Sequence, residues 1–467
     1  MEDGMLPFGG SPGAATGAVG GQTPAVVTPE DQRRALDRRR VFALRRGKRR
    51  GLGLLWLLAG PGILVMLGEN DAPSMLSYSA TGAQFGIGFF LPFVIVTFLM
   101  AFVVQEMTVR LGAVTHRGHA ELIFDRFGQF WGWFAIGDLV LGNFLTLITE
   151  FIGVRAGLGF FGVPPLIAVI GAWVVVAAAV LTGRYWTWER IALGLAVFNL
   201  LFVPVAILAH PLWGTVGRAV FTFHPLPAGG FGGSTLLILV ADIGATVTPW
   251  MLFFQQSAVV DKGLTTADLR QGRIDTALGA ALAALCAMAT IIATSVLFGH
   301  VSASDASNYQ AAQFAQAIQP HVGTVGAAIF ALGIFEAGLV AAITISASSA
   351  YAFGEVLHQA HSLNRPLNEA PPFYAILLAI AAVAAAIVLI PGMPLEFVVL
   401  IVNVIAVLAM PPALLFLYLL SNDRELLGAW ANSRLTNVLV TVVVVFLVAA
   451  GLAFALSVVA PSLFGGS

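Results

Sequence analysis

Two short stretches of an otherwise apolar chain carry the residue types that could do chemistry. One reads Gly68-Glu69-Asn70-Asp71-Ala72-Pro73-Ser74, the other Gly244-Ala245-Thr246-Val247-Thr248-Pro249-Trp250. Both fall in the middle of runs long enough to cross a bilayer as helices. Proline lacks an N–H and crowds the carbonyl four residues back. Glycine inside a helix costs about 1 kcal/mol relative to alanine, and a carboxylate at mid-membrane costs roughly 3 kcal/mol on insertion scales. Non-helical backbone at that depth is tolerated only where it lines a cavity or is packed in protein. Unwinding releases carbonyl oxygens, and the Asp71 carboxylate beside them gives a negative, oxygen-lined site suited to a cation. A lone proline or glycine would read as a simple kink; a proline, a glycine and polar side chains at two matching places read as a substrate site.

The elements that must position these residues follow from composition. Of 467 residues, 58% are hydrophobic and 10% charged, which is too little charge to cover several soluble domains and leaves a polytopic membrane protein. From Leu52 onward there are eleven apolar stretches, near 53–83, 87–110, 131–159, 164–183, 188–209, 234–257, 275–300, 324–352, 373–391, 395–420 and 436–460. The two chemical stretches lie in spans one and six, the first members of two successive five-span units. Five is odd, so the second unit enters from the opposite face. Interruptions at corresponding positions of inverted halves point to a transporter with its site between broken helices.

Charge placement fixes the expected orientation. Ten of the 23 Lys and Arg lie between Arg33 and Arg50, directly before span one. With that end inside, the connections expected to be cytoplasmic hold Arg110, Arg117, Arg126, Arg184, Arg190, Lys262, Arg270, Arg273, Arg365, Arg424 and Arg434. The stretch from His300 to Gly323, expected to be an outer loop, has none. This predicts a plasma (inner) membrane protein with a cytoplasmic N-terminus and an external C-terminus. Residues 1–30 are Gly, Pro, Ala and Thr without hydrophobic period and read as disordered, with 1–50 forming a basic cytoplasmic lead-in rather than a secretory leader. Nothing folded accompanies the arginines, so no nucleic-acid partner is expected, nor is a required protein partner. The single cysteine, Cys286, excludes an internal disulfide framework.

At the two chemical stretches the chain resembles the Nramp family of divalent metal transporters. The resemblance rests on Gly60-Pro61-Gly62 followed by Asp71-Ala72-Pro73-Ser74, on Gly244 to Trp250, on the segment from Gln105 to Ile123, and on Thr149 to Gly153. It implies an all-α LeuT-type fold of two inverted five-helix repeats (51–210 and 234–420) plus an eleventh helix at 436–460. It also implies a metal held by Asp71, Ser74, the carbonyls of Gly68 and Ala245, and Thr248; Glu69, two residues before Asp71, reads as a second acid in the outer shell. Asn403, where the family has a glutamine, reads equally as a ligand or as an interhelical hydrogen bond. The metal is the transported substrate; no resident cofactor is expected, and the chain reads as a transporter rather than an enzyme.

The departures from the family pattern set the finer expectations. Thr248 replaces a methionine, and a site without thioether, thiolate or imidazole loses the preference for softer metals. This favours Mg²⁺, with Mn²⁺ also carried, as in the magnesium branch related to Nramp, whose Asn-Asp and Pro-Trp motifs match Asn70-Asp71 and Pro249-Trp250. A histidine after the sixth-span proline is Trp250 here, and an acidic pair on span three is Leu147 and Glu150. The expected reading is therefore Mg²⁺ passage by alternating access without proton coupling. The alternatives are a proton-coupled Mn²⁺ or Fe²⁺ symporter and, further off, a Na⁺-coupled organic-solute transporter. Asp138, Asp242 and Glu336 read as polar contacts between helices. Glu106 and Arg155 read as solvated at the interface, with gating ion pairs as the alternative, His116, His119 and His300 as surface residues, Trp186 and Trp188 as belt aromatics, and Cys286 as an apolar filler.

Overall fold

The structure, a computed structural model, describes residues 60–459 except 225–233, 303–308, 358, 360 and 394. The basic run and the N-terminal lead-in lie outside the described residues. Within them the fold is an all-α bundle, without a strand. Among the described residues nine helices are long and apolar enough to cross a membrane, and the protein is an integral, multi-pass membrane protein. Two further spans complete eleven: a shorter one, Pro165–Val180, and the broken first span, made of Pro61–Glu69 and Ala72–Phe85.

The remaining spans are Phe90–Thr115 (two), Gln129–Gly159 (three), Tyr185–Leu208 (five), Ser234–Gly244 with Pro249–Asp261 (six), Leu269–Thr294 (seven), the part of Ala311–Val356 after Gly323 (eight), Pro371–Val388 (nine), Leu395–Asn422 (ten) and Arg434–Val459 (eleven). Both predicted breaks are present. In each, a proline opens the second half, where its missing N–H costs no hydrogen bond.

Small residues let the backbones around the first break approach closely. A Cβ on Gly153 of span three would stand 2.1 Å from the Ala72 Cβ, and one on Gly338 of span eight 2.6 Å from the Glu150 carbonyl oxygen. On the other side, a Cβ on Gly62 would meet the Thr276 backbone of span seven at 2.5 Å. Span one is thus packed closely against spans three, seven and eight at these positions.

Several expectations are corrected. The stretch from His300 to Gly323 is not all loop: a helix starts at Ala311, capped by reciprocal Gln310–Gln313 bonds, and turns into span eight at Gly323, whose φ is 73°. Its buried residues Ala311, Phe314, Ala315, Ile318 and Val322 follow helical spacing, a pattern that lies within the presumed loop. Span five is interrupted by a 3₁₀ turn at Val197–Leu201, and an unexpected helix, Trp213–Thr222, follows it. Trp188 is no belt residue but is buried against Tyr185 and Phe254. His119 is also buried, in a short helix, His119–Phe127, with its ring against Phe253. His116 and His300 are exposed as expected.

Candidate metal site

The two breaks face each other. In span one the helix ends at Glu69, Asn70 leaves helical geometry (ψ 53°), and Asp71 is extended (ψ 176°) before the helix resumes at Ala72. Asp71 acts as N-cap, its Oδ1 accepting the Ser74 N–H at 2.9 Å. In span six the helix ends at Gly244, and Thr248 is extended (φ −123°, ψ 153°) before Pro249. The Thr248 hydroxyl donates to Glu69 Oε2 at 2.7 Å, joining one break to the other. All the side chains involved are shielded: Asp71 is 2% and Thr248 5% exposed, and Glu69 is fully buried.

A third acid completes the group. Glu150 of span three accepts the Ala72 N–H through Oε2 at 3.1 Å, and its carboxyl is within hydrogen-bonding reach of the Asp71 carboxyl. Two carboxylates that close repel unless a proton or a cation lies between them. Three buried oxygens have no hydrogen-bond partner: Glu69 Oε1, Asn70 Oδ1 and Glu150 Oε1. Unpaired buried acceptors are costly, and a cation is one occupant that would compensate them. Among the described residues no three His, Cys, Asp or Glu side chains stand in metal-ligand geometry, so carbonyls and hydroxyls would have to supply part of any coordination shell.

The predicted residues divide as follows. Asp71, Ser74, Glu69 and Thr248 line the facing breaks. The Ala245 carbonyl is also there, but it accepts a hydrogen bond from the Tyr78 hydroxyl at 3.0 Å, which also meets the Thr246 hydroxyl at 3.0 Å. Gly68 sits in the last turn before the break, with Trp250 and Thr344 within ordinary contact of where a Cβ would stand. Asn403 donates its side-chain N–H to the Pro73 carbonyl at 3.2 Å, tying span ten to the break. Its backbone oxygen would lie 2.0 Å from a Cβ on Gly244, so glycine there is needed for close approach.

Sequence reasoning missed two neighbours. Glu150 reads as the remnant of a lost acid pair, yet it packs against Asp71. Tyr78 carries no motif; its only signal is a hydroxyl two turns beyond the break.

The site is closed on both sides. At one end, Asp242 accepts hydroxyl bonds from Ser77 and Thr81, each at 2.7 Å, tying the second half of span one to the first half of span six. At the other end, the Asp275 carboxylate accepts the Gly60 and Gly62 N–H groups at 2.8 and 2.7 Å. Lys262 and Arg190 pair with buried Glu189 at 2.9 and 3.1 Å, and Trp186 lies under the Arg190 guanidinium. Glu106 pairs with Arg110 and Arg273 at 3.3 and 2.8 Å rather than being merely solvated. Arg155 donates to the Val388 carbonyl at 2.8 Å. A cavity of about 10 Å³, room for about one water, reaches Thr248 between spans three, six and ten.

The Nramp family profile, described as natural resistance-associated macrophage protein-like, matches residues 62–457. The divalent metal cation transporter MntH of Granulibacter bethesdensis is 24% identical over 407 residues, covering 84% of this chain and 86% of its own. That of Deinococcus radiodurans is 25% identical over 450 residues, covering 90% and 94%. A crystal structure of the Eremococcus coleocola manganese transporter superposes with a TM-score of 0.66 at 20% identity, covering 87% of this chain and 88% of that one. MhsT in complex with L-phenylalanine superposes at 0.55 and 16% identity, covering 85% and 98%.

Proposed function

Since this chain belongs to the Nramp family, we propose that it carries divalent metal cations across the membrane, Mn²⁺ among them, by alternating access to the pocket between its two broken helices. The relatives are named divalent metal cation and manganese transporters. They favour the reading placed second from the sequence, a metal symporter of the Nramp type, over a dedicated Mg²⁺ pathway without proton coupling, for which they offer no support. One observation carries the reading: the Thr248–Glu69 bond brings the breaks together beside Asp71 and Glu150, with three acceptor oxygens left unpaired around them.

In this reading Asp71 and Ser74, the Gly68 and Ala245 carbonyls, and Thr248 are the donors, and Glu69 supplies a second negative charge. Asn403 holds the Pro73 carbonyl and so the shape of the first break. Entry requires parting Asp242 from Ser77 and Thr81. Release requires parting Asp275 from the start of span one and Lys262 from Glu189. The N-terminus is cytoplasmic and the C-terminus external, as the Lys and Arg asymmetry supports. Every side-chain donor is oxygen, which keeps Mg²⁺ as a second reading, because such a set has no preference for softer metals.

The test is metal uptake into liposomes holding the purified chain, with Mn²⁺ and Mg²⁺ followed by separate dyes. Asp71→Ala is expected to abolish uptake of both. Full uptake in that variant would remove the site from the pathway.

A further inference from the structure

Outside the metal pocket, one buried acid has an incomplete set of partners. Glu336 lies on span eight, and facing it is Asn199, in the 3₁₀ turn that interrupts span five. The Asn199 Nδ2 donates to Glu336 Oε2 at 3.2 Å. The two other oxygens of the pair, Glu336 Oε1 and Asn199 Oδ1, are buried and have no hydrogen-bond partner.

A primary amide and a carboxylic acid pair through two parallel bonds: amide N–H to acid C=O, and acid O–H to amide C=O. The first of these is present. The second lacks only a hydrogen, and one proton on Glu336 Oε1 would satisfy both orphaned atoms. An ionised Glu336 would leave two acceptors side by side in an interior where unpaired polar groups are expensive. A metal ion would need several more oxygens than these two. Among the described residues none of opposite charge forms an ion pair with Glu336, and Cys286 of span seven is a titratable side chain close enough to feel its charge. On span three, Glu150 is bonded to Ala72 and Arg155 to the Val388 carbonyl.

We propose that Glu336 and Asn199 form a proton-binding site distinct from the metal pocket. The proton comes from water, converts the Glu336 carboxylate to the acid, and bonds to Asn199 Oδ1; no other bond forms or breaks. Loss of the proton requires water to reach the pair, and the 3₁₀ turn at Asn199 is where span five departs from α-helical bonding. Use of this proton in the transport cycle rests on the function proposed above; its binding does not.

The experiment is infrared difference spectroscopy of the full chain in liposomes, stepping from neutral to alkaline pH, with metal uptake measured on the same preparations. A protonated-carboxyl band is expected in the wild type, lost in Glu336→Gln and displaced toward the frequency of an unbonded acid in Asn199→Ala. Gln at 336 supplies its own N–H to Asn199 Oδ1, so that variant keeps the pairing and the fold. A spectrum from which Glu336→Gln removes no such band would overturn the proposal, as would a band that Na⁺ abolishes at fixed pH. The band present without metal uptake in the wild type would uphold the proton site and strike the transport reading alone.

Discussion

Thr248 and Glu69 lie 179 residues apart, and the hydroxyl of the first donates to the carboxylate of the second across 2.7 Å. The bond crosses from the last residue of span one's first half to the extended residue just before span six's second half.

Thr248→Met replaces this hydroxyl by a thioether. In competitive uptake the variant is expected to gain preference for Mn²⁺ and Cd²⁺ over Mg²⁺, since sulfur adds affinity only for softer ions. It also takes the hydroxyl donor away from Glu69 Oε2, a cost of about 1–3 kcal/mol that a lower melting temperature would report. An unchanged selectivity ratio would show that the residue at 248 does not set metal preference.

Glu150→Gln keeps an acceptor for the Ala72 N–H but removes one negative charge beside Asp71. Groups that support a metal site from behind typically change affinity by roughly 10–100-fold when altered. Mn²⁺ binding by calorimetry should weaken within that range; affinity equal to the wild type would place Glu150 outside the site's electrostatics.

Gly244→Ala would put a Cβ 2.0 Å from the Asn403 backbone oxygen, which cannot rotate away. Overpacking of this kind costs about 1–3 kcal/mol, so the melting temperature should fall. Gly137→Ala is the control: nothing lies within 4 Å of its Cβ position, and the helix should gain up to about 1 kcal/mol. Equal behaviour of the two variants would contradict the close approach of spans six and ten.

His119 supplies a pH dependence. Burial pushes its imidazole down to about 4 from an ordinary value of 6.5, while Gln256 meets Nδ1 at 2.9 Å. The unfolded chain therefore takes up the proton first as pH falls. The stability contributed by neutral His119 is whole above about pH 6.5 and is lost progressively down to about pH 4. A shift of that size corresponds to roughly 3 kcal/mol. The fall in melting temperature between pH 7.5 and pH 5 should be smaller in His119→Gln; an equal fall would assign the acid sensitivity elsewhere.

Much of this was legible in the residues. Pro73 and Pro249, with Gly68 and Gly244 just before them, marked both breaks, because a membrane helix has no water to rescue a lost backbone bond. Asp242 was foreseen as a contact between helices, and Ser77 and Thr81 provide it. The helix from Ala311 escaped notice because the stretch from His300 to Gly323 is polar enough to read as loop, although its buried face has helical spacing.

The sequence by itself determined eleven spans, two matching interruptions and an acid in the first of them, because hydropathy, proline and charge act locally along the chain. Only the tertiary structure decided which acids share a space. Glu150 meets Asp71 because Gly153 and Gly338 let spans three and eight close on Ala72. Glu336 meets Asn199 because span five tightens opposite span eight. No local pattern encodes such pairings: they depend on how closely backbones far apart in sequence can approach, and that distance exists only once the bundle has packed.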